Sequence, residues 1–499
     1  MHFQIPFHLY RSKYPTKLLT LYHSLRDSIL DGVLTYETRL PSSRELAALY
    51  GLSRGTVNVV YDMLNAEGYV RSEIGRGTFV SIHYEPKSTP ARQSQVYVLS
   101  DWGKRLMSQS TGDVSYDLPA NAVKQVDFHW FAPDIGLFPQ EEWNRHLHVA
   151  AKELTGQGVI PRGELQGDYE LRNSIAQYLR RARGIDSHPS QIVIFNGSMQ
   201  AIALTVQLLV NPGDPVVIEN PGYLGIRRAV HAAGGITKPI SMDGQGIIPD
   251  DWEAKLLFVT PSRQFPTGVV LSMERRQQLL KWANEQDAII IEDDYDSEFR
   301  HRGKSLEPLK VLDREDRVIY IGSFSKTLLS GIRIGYAVMP ASLVEPIRKA
   351  KALFEPRPTG LLEQRTLAAF MGSGSYERHL RRMKRTYSRK FECLQKWLYK
   401  LLSDQFAWVE GDAGLHIFGW WRGNEPTYIK FREQCAQAGI RWSEVGVPVQ
   451  STETEAEAEK VSYGAYFNFP HLSEADIEYA IKRMEEVWRS MQAKSRMNK

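Results

Sequence analysis

The segment YIGSFSKTLLSGIRIGY gathers the most reactive side chains of the 499-residue chain. An apolar run that reads as a strand ends in Ser323, Ser325 and Lys326, and Arg333 follows seven residues after the lysine. A lysine placed at such a turn can condense with a carbonyl carbon to give an imine. Hydroxyls and a guanidinium beside it suit a phosphate ester, which arginine grips through paired hydrogen bonds. An exposed loop lysine would explain Lys326 alone, but not its company.

Three further pieces point the same way. IIIEDDYDSEF ends a second apolar run with Asp293, which can pair with a protonated ring nitrogen, and Tyr295, which can reach a ring hydroxyl; Asp294 competes for the first role. NGSMQAIAL puts Gly197, Ser198 and Met199 at a strand-to-helix turn, where backbone amides and the helix dipole favour an anion. ENPGYLGIRR offers Tyr223 either as a flat surface for an aromatic ring or as an ordinary core tyrosine. An amine, a phosphate cradle and a carboxylate for a pyridine nitrogen together suit pyridoxal 5'-phosphate.

The elements that must hold these residues form an α/β pattern. From Asp127 onward, helical periods alternate with the short apolar runs QIVIFNG, DPVVIEN, KLLFVTPS, AIIIEDDY, RVIYIGSFSK and IGYAVMP. Such alternation predicts a mostly parallel central sheet with helices on both faces. From about Leu353 a long basic helix (ERHLRRMKRTYSRKFECLQKWL), alternating strands around GLHIFGWW and a terminal helix from Glu474 predict a smaller C-terminal α+β lobe. Residues 82–126 lose periodicity, gather Pro86 and Pro90, and read as a linker that partly orders on the body. The acidic stretch STETEAEAEK reads as a short solvated segment, and no fixed-period repeat occurs.

Residues 17–81 punctuate themselves differently. Leu18, Leu21, Leu25 and Ile29 mark a helix that stops at Gly32. A second helix starts at Ser42 or Ser43, carries Leu46, Ala47 and Leu49 inward and turns at Gly51; Ser53 then caps a third through Val57, Val60, Tyr61 and Leu64. GYVRSEIGRGTFVS reads as a hairpin or wing about Gly75, Arg76 and Gly77. A recognition helix needs short polar and cationic residues at its N-terminal end, and Ser53, Arg54, Thr56 and Asn58 supply them. Ser42 and Arg44 at the preceding helix start suit a phosphate, and Arg76 with Gly77 suits the minor groove. The plainer alternative is a helical protein-interaction module with solvated arginines; Arg71 in particular reads equally well as a surface residue.

Composition sets the frame. The length implies at least two domains, and 42% hydrophobic with 24% charged residues is ordinary for a globular chain. A net charge of +4 is too small to argue nucleic-acid binding by itself. Cys393 and Cys435 have no metal-ligand or CxxC spacing, so free thiols and no metal are expected. The first residues lack a secretory pattern and no apolar stretch reaches about 18 residues, from which a soluble cytoplasmic protein is expected.

LPSSRELAALYGLSRGTVNVVYDMLNAEGYVRSEIGRGTFVS resembles the GntR-type winged helix-turn-helix, and the body motifs with VTPSRQFPTG resemble fold-type I aminotransferases. The combination is similar to the MocR/GabR regulators over nearly the full chain. The resemblance implies a DNA-binding domain (1–81), a linker (82–126) and an aminotransferase-like domain (127–499, with the lobe from about 353). It implies an imine at Lys326, Asp293 at the pyridine nitrogen, Tyr295 at the ring hydroxyl, and Ser198, Met199, Ser323 and Arg333 at the phosphate. It also implies a head-to-tail homodimer on a double-stranded operator, with a small-molecule effector, the cofactor itself or an amine.

Two positions depart from the enzyme pattern. Phe265 stands where aminotransferases carry an asparagine, and in KVSYGAYFNF Ser462 takes the place of the arginine that clamps an amino-acid carboxylate; Arg441 or Arg263 is the substitute to consider. These departures favour sensing over turnover. A working aminotransferase carrying a DNA-binding head is the alternative, and a cofactor-free dimerisation scaffold is a third.

Overall fold

The computed structural model describes residues 3–83, 97–108, 124–156, 165–303, 306–448 and 461–497, and the chain divides into two units after Val98. The first unit contains α1 (Lys17–Leu30), α2 (Ser43–Tyr50), α3 (Arg54–Ala66) and the antiparallel pair β1 (Val70–Glu73) and β2 (Gly77–Val80). Its core joins Leu21, Leu25 and Ile29 of α1 to Leu46 of α2 and Val57, Val60 and Leu64 of α3. Ser42 caps α2 reciprocally: Glu45 N–H donates to Ser42 Oγ (3.3 Å) and Ser42 N–H to the Glu45 carboxylate (2.8 Å). Gly51 closes α2 at φ 61°, a left-handed value that glycine adopts without strain. Leu49, expected inside, is 54% exposed. The inward arc of α2 centres on Leu46, Ala47 and Tyr50, and at 3.6 residues per turn Leu49 falls about 110° away from it.

The second unit is built on an eight-stranded sheet. Its strands are β3 (Ile192–Phe195), β4 (Pro215–Asn220), β5 (Ile236–Asp243), β6 (Gly246–Ile247), β7 (Leu256–Val259), β8 (Ile289–Asp294), β9 (Val318–Ser323) and β10 (Gly335–Val338). They lie in the order β3-β10-β9-β8-β7-β4-β5-β6. The run β9-β8-β7-β4-β5 is parallel, while β10 is antiparallel to both its neighbours and β6 is antiparallel to β5. All six apolar runs expected as strands occupy this sheet. Most central strands are buried end to end, as a sheet covered on both faces requires. The exposed strand β5, with Pro239 in it, was not legible because its burial alternates without an apolar period.

The lobe packs α8 (Ser375–Leu401) and α9 (Glu474–Met497) against a four-stranded antiparallel sheet of β11 (Phe406–Trp408), β12 (His416–Trp421), β14 (Val461–Asn468) and β13 (Ser443–Pro448), in that order. In α8 Met383, Tyr387, Phe391, Leu394 and Leu398 recur every three or four residues and are buried, which leaves the arginines outside. Within the expected linker, Asp101–Met107 forms a helix capped by Ser100, and Arg105 Nε donates to the Ala232 carbonyl of the body (3.1 Å). The rest of that linker at 84–96 and 109–123 lies outside the described residues, as does the acidic stretch at 451–460.

Candidate functional site

The carboxyl ends of parallel strands are where an α/β sheet opens a crevice. Lys326 lies three residues beyond β9 in such an opening, half-buried, with its Nζ donating to the Phe131 carbonyl (2.5 Å) and 3.5 Å from the centre of the Phe131 ring. Burial lowers its pKa to about 7, against the opposing pull of Asp296. Near neutrality much of this amine is therefore unprotonated, the form that attacks a carbonyl carbon.

The neighbouring strand β8 ends in two aspartates that the pleat sends to opposite faces. Asp294 is bound on one side: Arg183 Nη2 donates to it at 2.6 Å and the Tyr320 hydroxyl at 2.6 Å, in an ion pair with both side chains almost wholly buried. Asp293 on the other side is only 8% exposed and has no hydrogen-bond or ion-pair partner among the described residues. Burial first, then Asp294, Glu219 and Asp296, raises its carboxyl to about 7. The two aspartates thus differ: Asp294 is committed to Arg183 and Tyr320, and Asp293 is the carboxylate without a partner among the described residues.

The expected phosphate residues converge. Gly197 caps α5 (Ser198–Leu209) at φ 87°, and a Cβ built on it would lie 2.6 Å from Arg333 Nη2. A Cβ on Gly335 would lie 2.6 Å from the Gly197 carbonyl carbon. Two glycines thus leave room for the backbone of the α5 turn and the Arg333 guanidinium to meet, and that guanidinium donates to the Asn196 carbonyl at 3.2 Å. Arg333 itself has φ 53°, a left-handed value uncommon outside glycine and frequent at ligand sites. Ser323 Oγ accepts the Ser325 N–H (3.2 Å), which closes the turn and leaves the Ser323 hydroxyl proton for an acceptor. Ser198 and Met199 sit half-buried in the first turn of α5. Beside them a Cβ on Gly225 would clash with both the Met199 sulfur (2.5 Å) and the Tyr223 ring (2.3 Å), so these side chains pack together there. The Tyr223 phenol is pushed up to about 12 by burial and by Asp293, which locates it beside the same carboxylate.

Opposite the cradle, Tyr295 accepts a hydrogen bond from Arg263 Nη1 (3.2 Å). That guanidinium is not a free clamp. It also pairs with Asp296 (3.2 Å) and donates through Nη2 to the His416 carbonyl (2.8 Å), and it is buried. Arg441 pairs with Asp127 in a short parallel ladder. Ser462 is exposed, at the outer end of β14, facing Val447 across the ladder. The residue of β14 that reaches the site is Tyr466, its ring 5.5 Å from Phe265 and 5.6 Å from His416. The assignment of Ser462 to the clamp position is corrected accordingly: position 466 lies four residues further along the same strand face, and only it touches the rings around Lys326. Phe131 and Tyr466 were not legible as site residues. Phe131 sits in a stretch without a period, and Tyr466 shows only as one more aromatic in an alternating strand.

In the first unit the expected DNA residues stand in the opening turns of α2 and α3 and on the wing. Ser42 and Ser53 cap α2 and α3, Ser53 Oγ accepting the Thr56 N–H at 3.1 Å, so their hydroxyls are already engaged in shaping the helix starts. Arg44, Arg54 and Asn58 are exposed. Arg76 is exposed on the wing and pairs with Glu73 (2.7 Å), while Arg71 is tied to Glu37 and Glu73 and is structural. Arg39, which sequence reasoning passed over, lies beside the wing, its Nε 3.0 Å from where a Gly77 Cβ would be.

No helix among the described residues is long and apolar enough to cross a membrane. Residues 135–483 match the family model described as aminotransferase class I and II, and residues 18–80 that of the gntR family of bacterial regulatory proteins. The chain is 36% identical over 408 residues to the probable rhizopine catabolism regulatory protein MocR of Rhizobium meliloti, covering 80% of each chain. It is 32% identical over 474 residues to YhdI, an uncharacterized HTH-type transcriptional regulator of Bacillus subtilis strain 168, covering 94% of this chain and 95% of that one. Among solved structures, the kynurenine aminotransferase of Pyrococcus horikoshii superposes with a TM-score of 0.64 at 26% identity, over 74% of this chain and 91% of that one.

Proposed function

The chain belongs to the aminotransferase class I and II family and joins to it a gntR-family head, as the MocR-type transcriptional regulators do; from that premise we propose that it is an operator-binding regulator whose body holds pyridoxal phosphate at Lys326 and reports on the cofactor or an amine. The observation that carries the reading is Asp293: a carboxylate 8% exposed with no partner among the described residues is a costly thing to bury unless something cationic joins it. A protonated pyridine nitrogen is that partner. The glycine-lined approach of Arg333 to the α5 turn supplies a cradle that fits a phosphate.

When bound, the cofactor supplies an aldehyde for an amine and an electron-withdrawing ring. The chain's own residues do the rest. Lys326 presents an amine that burial keeps partly deprotonated; Arg333, Ser323 and the amides of the Gly197 turn hold the phosphate; Asp293 keeps the ring nitrogen protonated; Tyr295, itself bonded by Arg263, faces the ring hydroxyl. Phe265 offers no hydrogen bond at the ring and closes the site with an apolar edge. In the head, Arg44, Arg54, Asn58 and Arg76 contact the operator, with Ser42, Ser53, Thr56 and Gly77 shaping the helix starts and the wing. Communication between body and head requires that a bound amine favour one of two conformations.

The test is spectroscopic. Full-length protein given pyridoxal phosphate develops a visible absorption band, and Lys326→Ala does not. Loss of operator affinity in Arg54→Ala with the band retained separates the two units. Absence of any band in the unaltered protein refutes the cofactor reading. Repeated turnover with a keto-acid acceptor refutes the sensor reading in favour of an enzyme.

A further inference from the structure

The wall in front of Lys326 is made of rings. The centroids of Phe131, Tyr223, Tyr295, His416 and Tyr466 lie between 5.5 and 6.3 Å from that of Phe265, mostly edge to face. Lys326 and Arg263 meet this cluster on the Phe131 and Tyr295 side, while Arg228 and Arg333 act on Tyr223 from the side of the glycine turn. Lys326 is the amine that reacts. Arg263 is neutralised by Asp296 and spends its donors on Tyr295, Asp296 and the His416 carbonyl. His416 is held uncharged by burial and by Arg263, and its ring is bonded to the Pro266 carbonyl. The remaining charges near Lys326, Asp293 and Asp296, are acidic. A carboxylate brought into this space would be stripped of water and find Arg263 already committed, whereas an apolar or aromatic body would meet ring edges and faces.

We propose that the space in front of Lys326 selects a primary amine with an aromatic or apolar body and no carboxylate, and that Tyr466 is the residue that sets this choice. The inference rests on the reading that Lys326 holds the cofactor's aldehyde carbon. Tyr466 stands on β14 with its ring against Phe265, opposite Ser443 in the ladder. It therefore fills with an uncharged ring the place in the wall where β14 meets Phe265, beside His416 of β12. In the exchange, the incoming amine's nitrogen forms a double bond to the aldehyde carbon as the bond to Lys326 nitrogen breaks. The two hydrogens that the newcomer's nitrogen gives up would pass to the lysine nitrogen, which would leave as a free amine, and no electrons would be gained or lost.

A matched pair decides it. Full-length protein loaded with pyridoxal phosphate is titrated with 2-phenylethylamine and with phenylalanine, which differ by one carboxylate, and the visible band is followed. The amine is expected to act at roughly 100-fold lower concentration, the discrimination an apolar pocket gives against an unmatched polar group. Tyr466→Arg is expected to narrow or reverse that ratio. Phenylalanine acting at equal or lower concentration overturns the inference, as does a band that neither compound shifts. If Tyr466→Arg fails to fold or load, the unaltered protein still decides. Failure of the band to form at all overturns the lysine reading beneath the inference, and that outcome is distinct from a band with the wrong preference.

Discussion

Replacing Asp293 by Asn separates what this carboxylate does for a ligand from what it costs the fold. In the ligand-free body, burial with Asp294, Glu219 and Asp296 raises its pKa to about 7 from 3.8. Between about pH 4 and pH 7 the folded protein keeps a proton that the unfolded chain has released, so its stability falls as pH rises through that window. Fully developed, a change of that size corresponds to at most about 4 kcal/mol; relaxation and water entry reduce it to about 2 kcal/mol. Asp293→Asn removes the charge at constant shape. In a body of about 400 residues, ligand-free protein carrying it should melt about 2 °C higher than the unaltered protein at pH 8.5 and about 1 °C higher at pH 5.5, where about half of the window has been crossed, by scanning calorimetry of the body transition. The same variant should bind pyridoxal phosphate more weakly. An equal effect at both pH values, or a lower melting temperature at pH 8.5, would show that Asp293 is not an uncompensated buried carboxylate.

Other consequences are simpler. Gly197→Ala puts a methyl 2.6 Å from Arg333 Nη2 at φ 87° and should weaken pyridoxal phosphate binding at least about tenfold by absorbance titration, with the circular dichroism unchanged. Arg183→Met strands the Asp294 carboxylate in the interior and should cost about 3–5 kcal/mol in chemical denaturation of the body. Arg54→Ala should reduce operator binding and lower the salt dependence by about one phosphate contact. Ser42→Ala should instead destabilise the head by about 1 kcal/mol through loss of the α2 cap.

The sheet was legible because buried parallel strands are written as uninterrupted apolar runs, and the first unit because its caps and glycines mark each helix end. The places of the lysine, the glycine turn beside Arg333 and the aspartate pair were legible because strand ends dictate where they sit. Ring packing and charge neutralisation were not. In the sequence Arg263 reads as an available guanidinium, but Tyr295 and Asp296 from one distant segment and His416 from another commit it. Counting along KVSYGAYFNF cannot say how far along β14 the site begins, and it is Tyr466 rather than Ser462 whose ring lies against Phe265. The choice between Asp293 and Asp294 needed a residue far away in sequence, Arg183, whose role no local pattern announces.

Those two aspartates, adjacent in the chain, look like a repeat and behave as opposites. One is a strut, locked between Arg183 and Tyr320 behind the sheet; the other is a socket. Because strand faces alternate, the strut can be rigid without stiffening the socket, and a single residue inserted or lost in β8 would exchange them, setting the bare carboxylate against Arg183 and the occupied one toward Lys326. The register of one six-residue strand is thus the setting on which every chemical assignment in the body depends.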